Sequence, residues 1–293
     1  MYQWKQLTPS VPHQLALGVA FGMTDVGTVR RSNEDNFLID AGLGLLAVAD
    51  GMGGHAAGEV ASSDALNALA SFIRAARSAE HDADSDATRP RFRPSNYDPS
   101  QADPDATWTD ATMGAMIVLH DAVEFANERV YQNNLATDQA DGGGMGTTLT
   151  GLWQPAPDGP LFVFHVGDSR LYRLRNGWLA QITRDQTMYQ QAIEAGSFEN
   201  LPPRNLLLQA VGPDPIILPE LQSQAVAPGD VYMLCSDGLY GHSDDEALAD
   251  VLARADGENL QVCCERLIEM AKRDGSRDNI TVVLLYCKQQ AAL

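Results

Sequence analysis

Five apolar segments of this chain each meet an aspartate at one end, and this pattern constrains the fold more than any other feature. The aspartates are Asp35, Asp50, Asp168, Asp237 and Asp278. Short apolar runs bounded by Gly, Ser and Asn are typical of buried β-strands. A single aspartate beside a glycine is usually a turn residue. Five such aspartates at strand ends predict instead that several ends meet at one site.

The apolar pattern predicts strands and helices along most of the chain. The predicted strands are 15–21, 37–39, 43–49, 147–153, 161–166, 170–174, 231–235 and 280–286. The predicted helices are 57–76, 111–134, 244–253 and 259–272. Because the strands occur in groups between long helices, without regular βαβ alternation, the sequence predicts an α+β layered domain.

Residues 78–110 differ in composition from the rest of the chain. This segment is rich in Asp, Pro and Ser, and it contains eight acidic residues and three arginines. Few apolar side chains and many charges are typical of a flexible insertion. Since motifs lie on both sides of it, we expect the insertion to interrupt a single domain. That domain spans residues 1–293, with a core at about 15–288.

Composition and charge exclude several classes of partner. The formal net charge of −19 argues against binding to nucleic acid or to anionic membranes. No apolar run approaches the roughly 18 residues of a membrane span, and the first residues do not resemble a signal peptide. The four cysteines have neither zinc-site nor disulfide-framework spacing. We therefore expect a cytoplasmic protein, and a monomer.

Carboxylates that converge at strand ends have a definite chemistry. Ionised carboxylates a few ångströms apart repel each other by several kcal/mol per pair at intermediate dielectric. Such a cluster persists only if it is protonated or if cations neutralise it. No set of His or Cys residues competes for the cation, so the ligands are hard oxygens, which favour Mg²⁺ or Mn²⁺ over zinc.

Six motifs, in their order along the chain, resemble those of a known family. They are VRRSNEDN (29–36), VADGMGGHAAGEVAS (48–62), GMGTTLTG (144–151), HVGDSRLYRLRNG (165–177), PGDVYMLCSDGLY (228–240) and GSRDNITVV (275–283). The chain resembles the bacterial metal-dependent (PPM, type 2C) serine/threonine protein phosphatases. The resemblance implies a four-layer αββα sandwich of two mainly antiparallel β-sheets flanked by helices. It also implies a di-metal centre at one end of the sheets.

The resemblance further implies a set of metal ligands. Asp50 corresponds to the carboxylate that bridges two metal ions, and the carbonyl of Gly51 binds one of them. Asp237 and Asp278 correspond to ligands of the first ion. Asp168, together with Asp237, matches the pair that holds a third, weaker ion. We therefore expect two tightly bound Mn²⁺ or Mg²⁺ ions and a weaker third one.

Three other residues have roles that the resemblance implies. Asp35 matches an acid beside the centre that acts partly through water. Arg30, and not Arg31, stands where the family has the arginine that binds the substrate phosphate, and Asn279 supports the Asp278 site and the substrate. A planar, permanently charged guanidinium suits bidentate phosphate binding.

The chemistry expected of such a centre needs no protein nucleophile. Two divalent ions lower the pKa of a bridging water, and they neutralise the phosphate charge during in-line attack. The chain has no Cys-x₅-Arg loop that would supply a nucleophile instead. The predicted activity is hydrolysis of phosphoserine and phosphothreonine in phosphorylated proteins.

The chain departs from the family pattern at two positions. Some members have a histidine general acid directly after the DG pair, where this chain has Met52. His55 is the nearest side chain that can donate a proton, and a cap for the following helix is an equally good role for it. The segment at about 186–212 resembles the flap beside the family's active site, but Gln186 stands where a histidine is expected.

Two alternatives to an active phosphoprotein phosphatase stay open at this point. A non-catalytic, phosphate-reading regulatory module on the same fold would be expected to lack metal-binding acids, which are all present here. A two-metal nuclease or small-phosphoester hydrolase would use similar ligands. The acidity of the chain, with no basic patch, argues against the nuclease.

Overall fold

The computed structural model describes residues 5–53, 57–84, 110–136 and 144–288. The strands in these ranges are β1 (His13–Gln14), β2 (Gly18–Asp25), β3 (Asn36–Asp40), β4 (Leu45–Ala49), β5 (Gly51–Met52), β6 (Gly146–Thr147), β7 (Leu149–Trp153), β8 (Leu161–Val166), β9 (Arg170–Arg175), β10 (Trp178–Gln181), β11 (Glu220–Gln224), β12 (Val231–Cys235) and β13 (Ile280–Cys287). The helices are α1 (Ala57–Asp84), α2 (Asp110–Ala136), α3 (Met188–Glu194), α4 (Asp237–Tyr240), α5 (Asp245–Leu252) and α6 (Leu260–Arg273).

Two antiparallel sheets form the centre of the molecule. One has the strand order β1-β2-β13-β12-β9-β10, and the other has the order β11-β8-β7-β4-β3. Phe37 and Leu46 of the second sheet and Tyr232 and Leu285 of the first belong to one buried cluster between the sheets. Side chains of both sheets therefore fill a common core, as in a β-sandwich.

Helices cover the outer face of each sheet. Leu66 of α1 and Leu119 of α2 pack in one cluster with Phe164 of β8. Leu248 of α5 and Leu267 of α6 share another cluster with side chains of β2 and β12. Strands β4, β7, β8 and β12 are consequently buried along their whole length, which explains why apolar residues occupy both of their faces. These layers confirm the predicted αββα sandwich.

The sequence pattern missed the polar edge strands and misplaced one helix end. Strand β10 has only four residues, none of them buried, and β11 has the sequence ELQSQ, so neither shows a long apolar run. Helix α1 continues to Asp84, and residues 78–84 are therefore helical rather than part of a flexible insertion. Alanine and glutamate in this stretch favour a helix, which its acidity had obscured. Residues 85–109 lie outside the described ranges, and the prediction for them stays a prediction.

Antiparallel pairing brings the predicted strand ends to one edge. Asn36 at the start of β3 pairs with Ala49 at the end of β4. In the other sheet, Cys235 at the end of β12 pairs with Val282 near the start of β13. An aspartate that follows one strand therefore lies close to an aspartate that precedes its neighbour. A cavity of about 470 Å³ includes Leu161 at the start of β8 and Lys288 after β13, so it lies at the opposite end.

Candidate metal centre

Asp50 directly follows strand β4 at this edge, and two threonines hold its backbone in place. The Asp50 N–H donates to the Thr148 hydroxyl over 2.9 Å. The Asp50 carbonyl accepts from the Thr148 N–H and from the Thr147 hydroxyl, each over 2.9 Å. The GMGTT motif is thus structural: its threonines hold the position of the acid without presenting a group of their own.

Asp237 lies two residues after the end of strand β12 and is the first residue of helix α4. Its carboxyl group lies close enough to that of Asp50 for each to act on the pKa of the other. Burial, followed by the charge of Asp278, raises the pKa of Asp237. Burial also raises the pKa of Asp50 well above its usual range, with Asp35 as the strongest neighbouring charge.

Asp35 and Asp168 complete the buried part of the cluster. One Asp35 carboxylate oxygen accepts hydrogen bonds from Ser236 and Thr281, both over 2.7 Å. Even with these bonds, burial raises the pKa of Asp35 to about 7. Burial and the charge of Asp237 raise the pKa of Asp168 to about 7 as well. The structure therefore brings the predicted acids together.

These carboxylates form a donor set that suits hard divalent cations. Each buried acid has a raised pKa because ionising it costs desolvation and repulsion from the others. A divalent cation among them offsets both costs and displaces the protons. The donors are oxygens only, which is the chemistry of Mg²⁺ and Mn²⁺ sites. The residues present thus fit the ions that the sequence predicts.

Arg30 and Asp278 form the exposed side of the centre. The Arg30 guanidinium donates to a carboxylate oxygen of Asp278 over 2.6 Å, and the two side chains are 48% and 38% exposed. Asp278 precedes strand β13, and its other oxygen accepts from the Asn279 backbone N–H. Arg30 therefore stands beside the cluster, in a solvent-accessible position.

Asn279 holds the loop that carries Arg30. Its side-chain oxygen accepts from the Glu34 backbone N–H over 2.8 Å, and its amide donates to the carbonyls of Val26 and Ser32. Both amide hydrogens are used and the residue is buried. These contacts favour a positioning role over the predicted contact with substrate.

Gly51 lies where two backbones come too close for a side chain. A Cβ atom here would lie 2.1 Å from the carbonyl oxygen of Gly58, in α1, and 2.5 Å from that of Glu34. Gly58 in turn faces the Gly51 carbonyl carbon, at 2.9 Å from its own added Cβ. Gly51 and Gly58, two of the four glycines of the VADGMGGHAAGEVAS motif, thus let helix α1 begin directly against the chain that follows Asp50.

A network behind Asp168 was not predicted from the sequence. Arg170 pairs with both carboxylate oxygens of Asp185, over 2.8 and 2.7 Å. Its guanidinium lies 3.7 Å from the ring centroid of Tyr240, a cation–π contact. The Tyr240 hydroxyl donates to the backbone carbonyl of Asp168 over 2.9 Å. Only their positions in the sequence could have indicated this network, since Arg170 belongs to the GDSR motif and Tyr240 follows Asp237 by one helical turn.

The two predicted departures from the family pattern have different outcomes. Gln186 is buried, and its side-chain oxygen accepts from the Gly167 N–H over 2.8 Å and from Gln209 over 2.9 Å. It therefore ties the loop before Asp168 to the flap. Met52 pairs with Gly146 in the short β5–β6 ladder. His55 lies outside the described residues, so its role as general acid stays a prediction.

A second group of metal-capable side chains lies on helix α2. His120, Asp121 and Glu124 have ligand atoms within 4.8 Å of one another, the one such trio among the described residues. Glu124 is exposed and the other two are half-buried, and exposed acidic groups are common without an ion. The aspartates of the main cluster are less tightly grouped, as expected of carboxylates that repel each other, but their burial makes them the stronger site.

Comparison with known proteins agrees with this arrangement. A protein-family profile described as Protein phosphatase 2C matches residues 29–255. The Serine/threonine protein phosphatase PstP of Mycobacterium tuberculosis is 34% identical over 266 residues, covering 89% of this chain and 43% of that relative. The crystal structure of the M. tuberculosis phosphatase PstP/Ppp has a TM-score of 0.71 and 32% identity, covering 92% of this chain and 98% of that one.

A further solved structure is the catalytic domain of the serine threonine protein phosphatase PstP in complex with two manganese ions. It has a TM-score of 0.67 and 33% identity, and the match covers 90% of this chain and 96% of that one. Because the family profile covers most of the chain, this protein belongs to the protein phosphatase 2C family. The chain spans 43% of the length of the curated M. tuberculosis relative that it matches. No helix in the described residues is long and apolar enough to cross a membrane.

Proposed function

We propose that this chain is a metal-dependent phosphatase that hydrolyses phosphoserine and phosphothreonine in proteins. The observation that carries the proposal is the cluster of buried, mutually repelling aspartates at one edge of the sandwich. Membership of the protein phosphatase 2C family and the two manganese ions of the related catalytic domain support it.

Each acid has a proposed role toward the ions, which are Mn²⁺ or Mg²⁺. Asp50 would be shared by two of them, the Gly51 carbonyl would bind one, and Asp237 and Asp278 would hold the first. Asp168 and Asp237 would hold a weaker third ion. When bound, the ions supply an activated water and neutralise the phosphate charge.

The chain's own residues bind and orient the substrate. The Arg30 guanidinium uses one nitrogen for Asp278 and keeps further N–H donors for phosphate oxygens. Asn279 fixes the loop on which Arg30 stands. Asp35, held by Ser236 and Thr281, lies behind the cluster, where it holds water or a proton rather than substrate.

The alternatives are weaker for physical reasons. A regulatory module that only reads phosphate has no need to bury several repelling acids, since each costs stability. A nuclease requires a basic track for its substrate backbone, and the net charge of −19 opposes one. We therefore propose phosphorylated proteins as the partners, with the chain acting as a monomer.

Turnover of p-nitrophenyl phosphate with Mn²⁺ tests the proposal. We expect hydrolysis that EDTA abolishes and Mn²⁺ restores, and faster hydrolysis of phosphothreonine and phosphoserine peptides than of matched phosphotyrosine peptides. Hydrolysis that survives EDTA would contradict the metal centre. Metal-dependent hydrolysis of the small ester alone, with no turnover of phosphopeptides, would favour a small-phosphoester hydrolase.

Tyr240→Phe removes the hydroxyl that supports Asp168 and keeps the ring that Arg170 covers. We expect the weaker metal site to lose about tenfold in Mn²⁺ affinity, because outer hydrogen bonds orient metal ligands. Calorimetric titration measures the affinity, and the Mn²⁺ dependence of kcat gives a second value. Tyr286→Phe, near the far end of β13, is the control. An unchanged titration for Tyr240→Phe would show that its hydroxyl does not position Asp168.

A further inference from the structure

A cleft of about 380 Å³ opens beside the proposed metal centre. Its lining includes Arg30, Asp237 and Asp278 together with His242 and Arg277, which the proposed hydrolysis does not use. A phosphoresidue bound at the centre therefore has this cleft as adjoining space. The residues that flank the phosphoresidue in a substrate have room to lie in it.

Arg277 gives this cleft a free positive charge. Its side chain is exposed, and it forms no ion pair with a carboxylate of the described ranges 5–53, 57–84, 110–136 and 144–288. Arg273, four residues earlier, is by contrast paired with Asp274 over 3.0 Å. In a chain with 39 acidic and 20 basic residues, an arginine without an acidic partner beside a catalytic centre is available for a ligand.

We propose that the cleft binds a second anionic group of the substrate, near the phosphoresidue. The inference rests on the proposed function, and it narrows the substrate class to segments with an acidic side chain or a second phosphate beside the target. A guanidinium binds carboxylate and phosphate in the same planar, two-point geometry. The exposed His242 adds a hydrogen-bond donor to the same cleft.

Electrostatics makes this cleft selective on an otherwise acidic protein. The net charge of −19 repels anionic segments from most of the surface. Charges more than about 10 Å apart are largely screened at ordinary ionic strength, so the charges close to the cleft determine which segments bind there. Arg30 is engaged with Asp278 and directed to the phosphate, which leaves Arg277 for the flanking group.

Binding of non-hydrolysable peptides tests the proposal without turnover. Each fluorescent peptide carries a phosphonate analogue of phosphothreonine in an alanine background. A glutamate, a second phosphonate or a lysine is placed at each position up to three residues away. Fluorescence anisotropy with Mn²⁺ present gives the Kd values. We expect the best anionic peptide to bind about fivefold more tightly than the neutral one, the size of an exposed ion pair.

Variants at two arginines separate a specific contact from net charge. Arg277→Ala should abolish the preference, Arg277→Lys should keep part of it, and Arg277→Glu should favour the lysine peptide. Arg273→Ala removes the same charge outside the cleft and should keep the full preference. A larger gain from glutamate would identify acidic segments as substrates, and a larger gain from the second phosphonate would identify doubly phosphorylated ones.

Equal Kd values for neutral and anionic peptides would overturn the proposal, and so would a preference that Arg277→Ala leaves intact. Equal loss in Arg277→Ala and Arg273→Ala would overturn it too, since net charge alone would then explain the effect. Failure to hydrolyse p-nitrophenyl phosphate, with the flank preference present, would overturn the proposed hydrolysis and leave the cleft assignment standing.

Discussion

Asp237→Asn is expected to lower turnover of p-nitrophenyl phosphate by about 10³-fold or more, even at saturating Mn²⁺. The charge of Asp237 acts on Asp35, Asp50 and Asp168. Asparagine has the same shape as aspartate but lacks the charged carboxylate, which is a ligand that two of the proposed ion sites share. Loss of the ions removes several kcal/mol of stabilisation from the transition state.

The same variant should be at least as stable as the wild type without metal. Burial raises the pKa of Asp237, so its ionised form destabilises the fold at every pH above the pKa of the unfolded chain. Asparagine removes that cost. We therefore expect an equal or higher melting temperature in EDTA at pH 8, where the wild-type carboxylates repel most. Asp245→Asn, exposed in the first turn of α5, is the control. Near-normal activity of Asp237→Asn at saturating Mn²⁺ would contradict the assignment.

The convergence of the acids could be predicted because they follow or precede strands that carry strong signals. Leu45–Ala49 and Val231–Cys235 are buried on both faces, so their apolar runs ended visibly at Asp50 and Asp237. Once the strands pair in an antiparallel way, acids at such ends become neighbours. The layer order came from the resemblance, since periodicity alone gave only an α+β class.

The parts that could not be predicted depend on contacts between distant residues. Strand β11 is polar, and pairing with β8 defines it rather than its own composition. Tyr240 supports Asp168 across 72 positions of sequence, and no local pattern contains that contact. The resemblance implied that Asn279 supports the Asp278 site and the substrate, whereas its amide donates to the carbonyls of Val26 and Ser32.

Gly51 was predicted for its carbonyl, but the structure gives a separate, steric reason for the residue. Its Cβ position is occupied by the carbonyl oxygens of Gly58 and Glu34, which belong to backbone and cannot rotate away. Its φ angle is not among the positive ones, so the need is for space and not for an unusual conformation. The contact sets the distance between Asp50 and the start of helix α1.

Gly51→Ala should therefore damage both the fold and the centre. Forcing a methyl group into packed backbone costs about 3 kcal/mol of unfolding free energy, which lowers the melting temperature by roughly 5–10 °C in a chain of this size. Displacing Asp50 by even about 1 Å should lower kcat about 10²-fold.

Gly114→Ala is the matched control, because a Cβ there meets nothing within 4 Å on the exposed face of α2. It should raise stability by about 0.4–1 kcal/mol, since alanine restricts the unfolded chain more than glycine does. Thermal melts and kcat at saturating Mn²⁺ decide the outcome. Wild-type values for Gly51→Ala would mean that the strand and helix can separate without moving Asp50, and the glycine pair would then not position the centre.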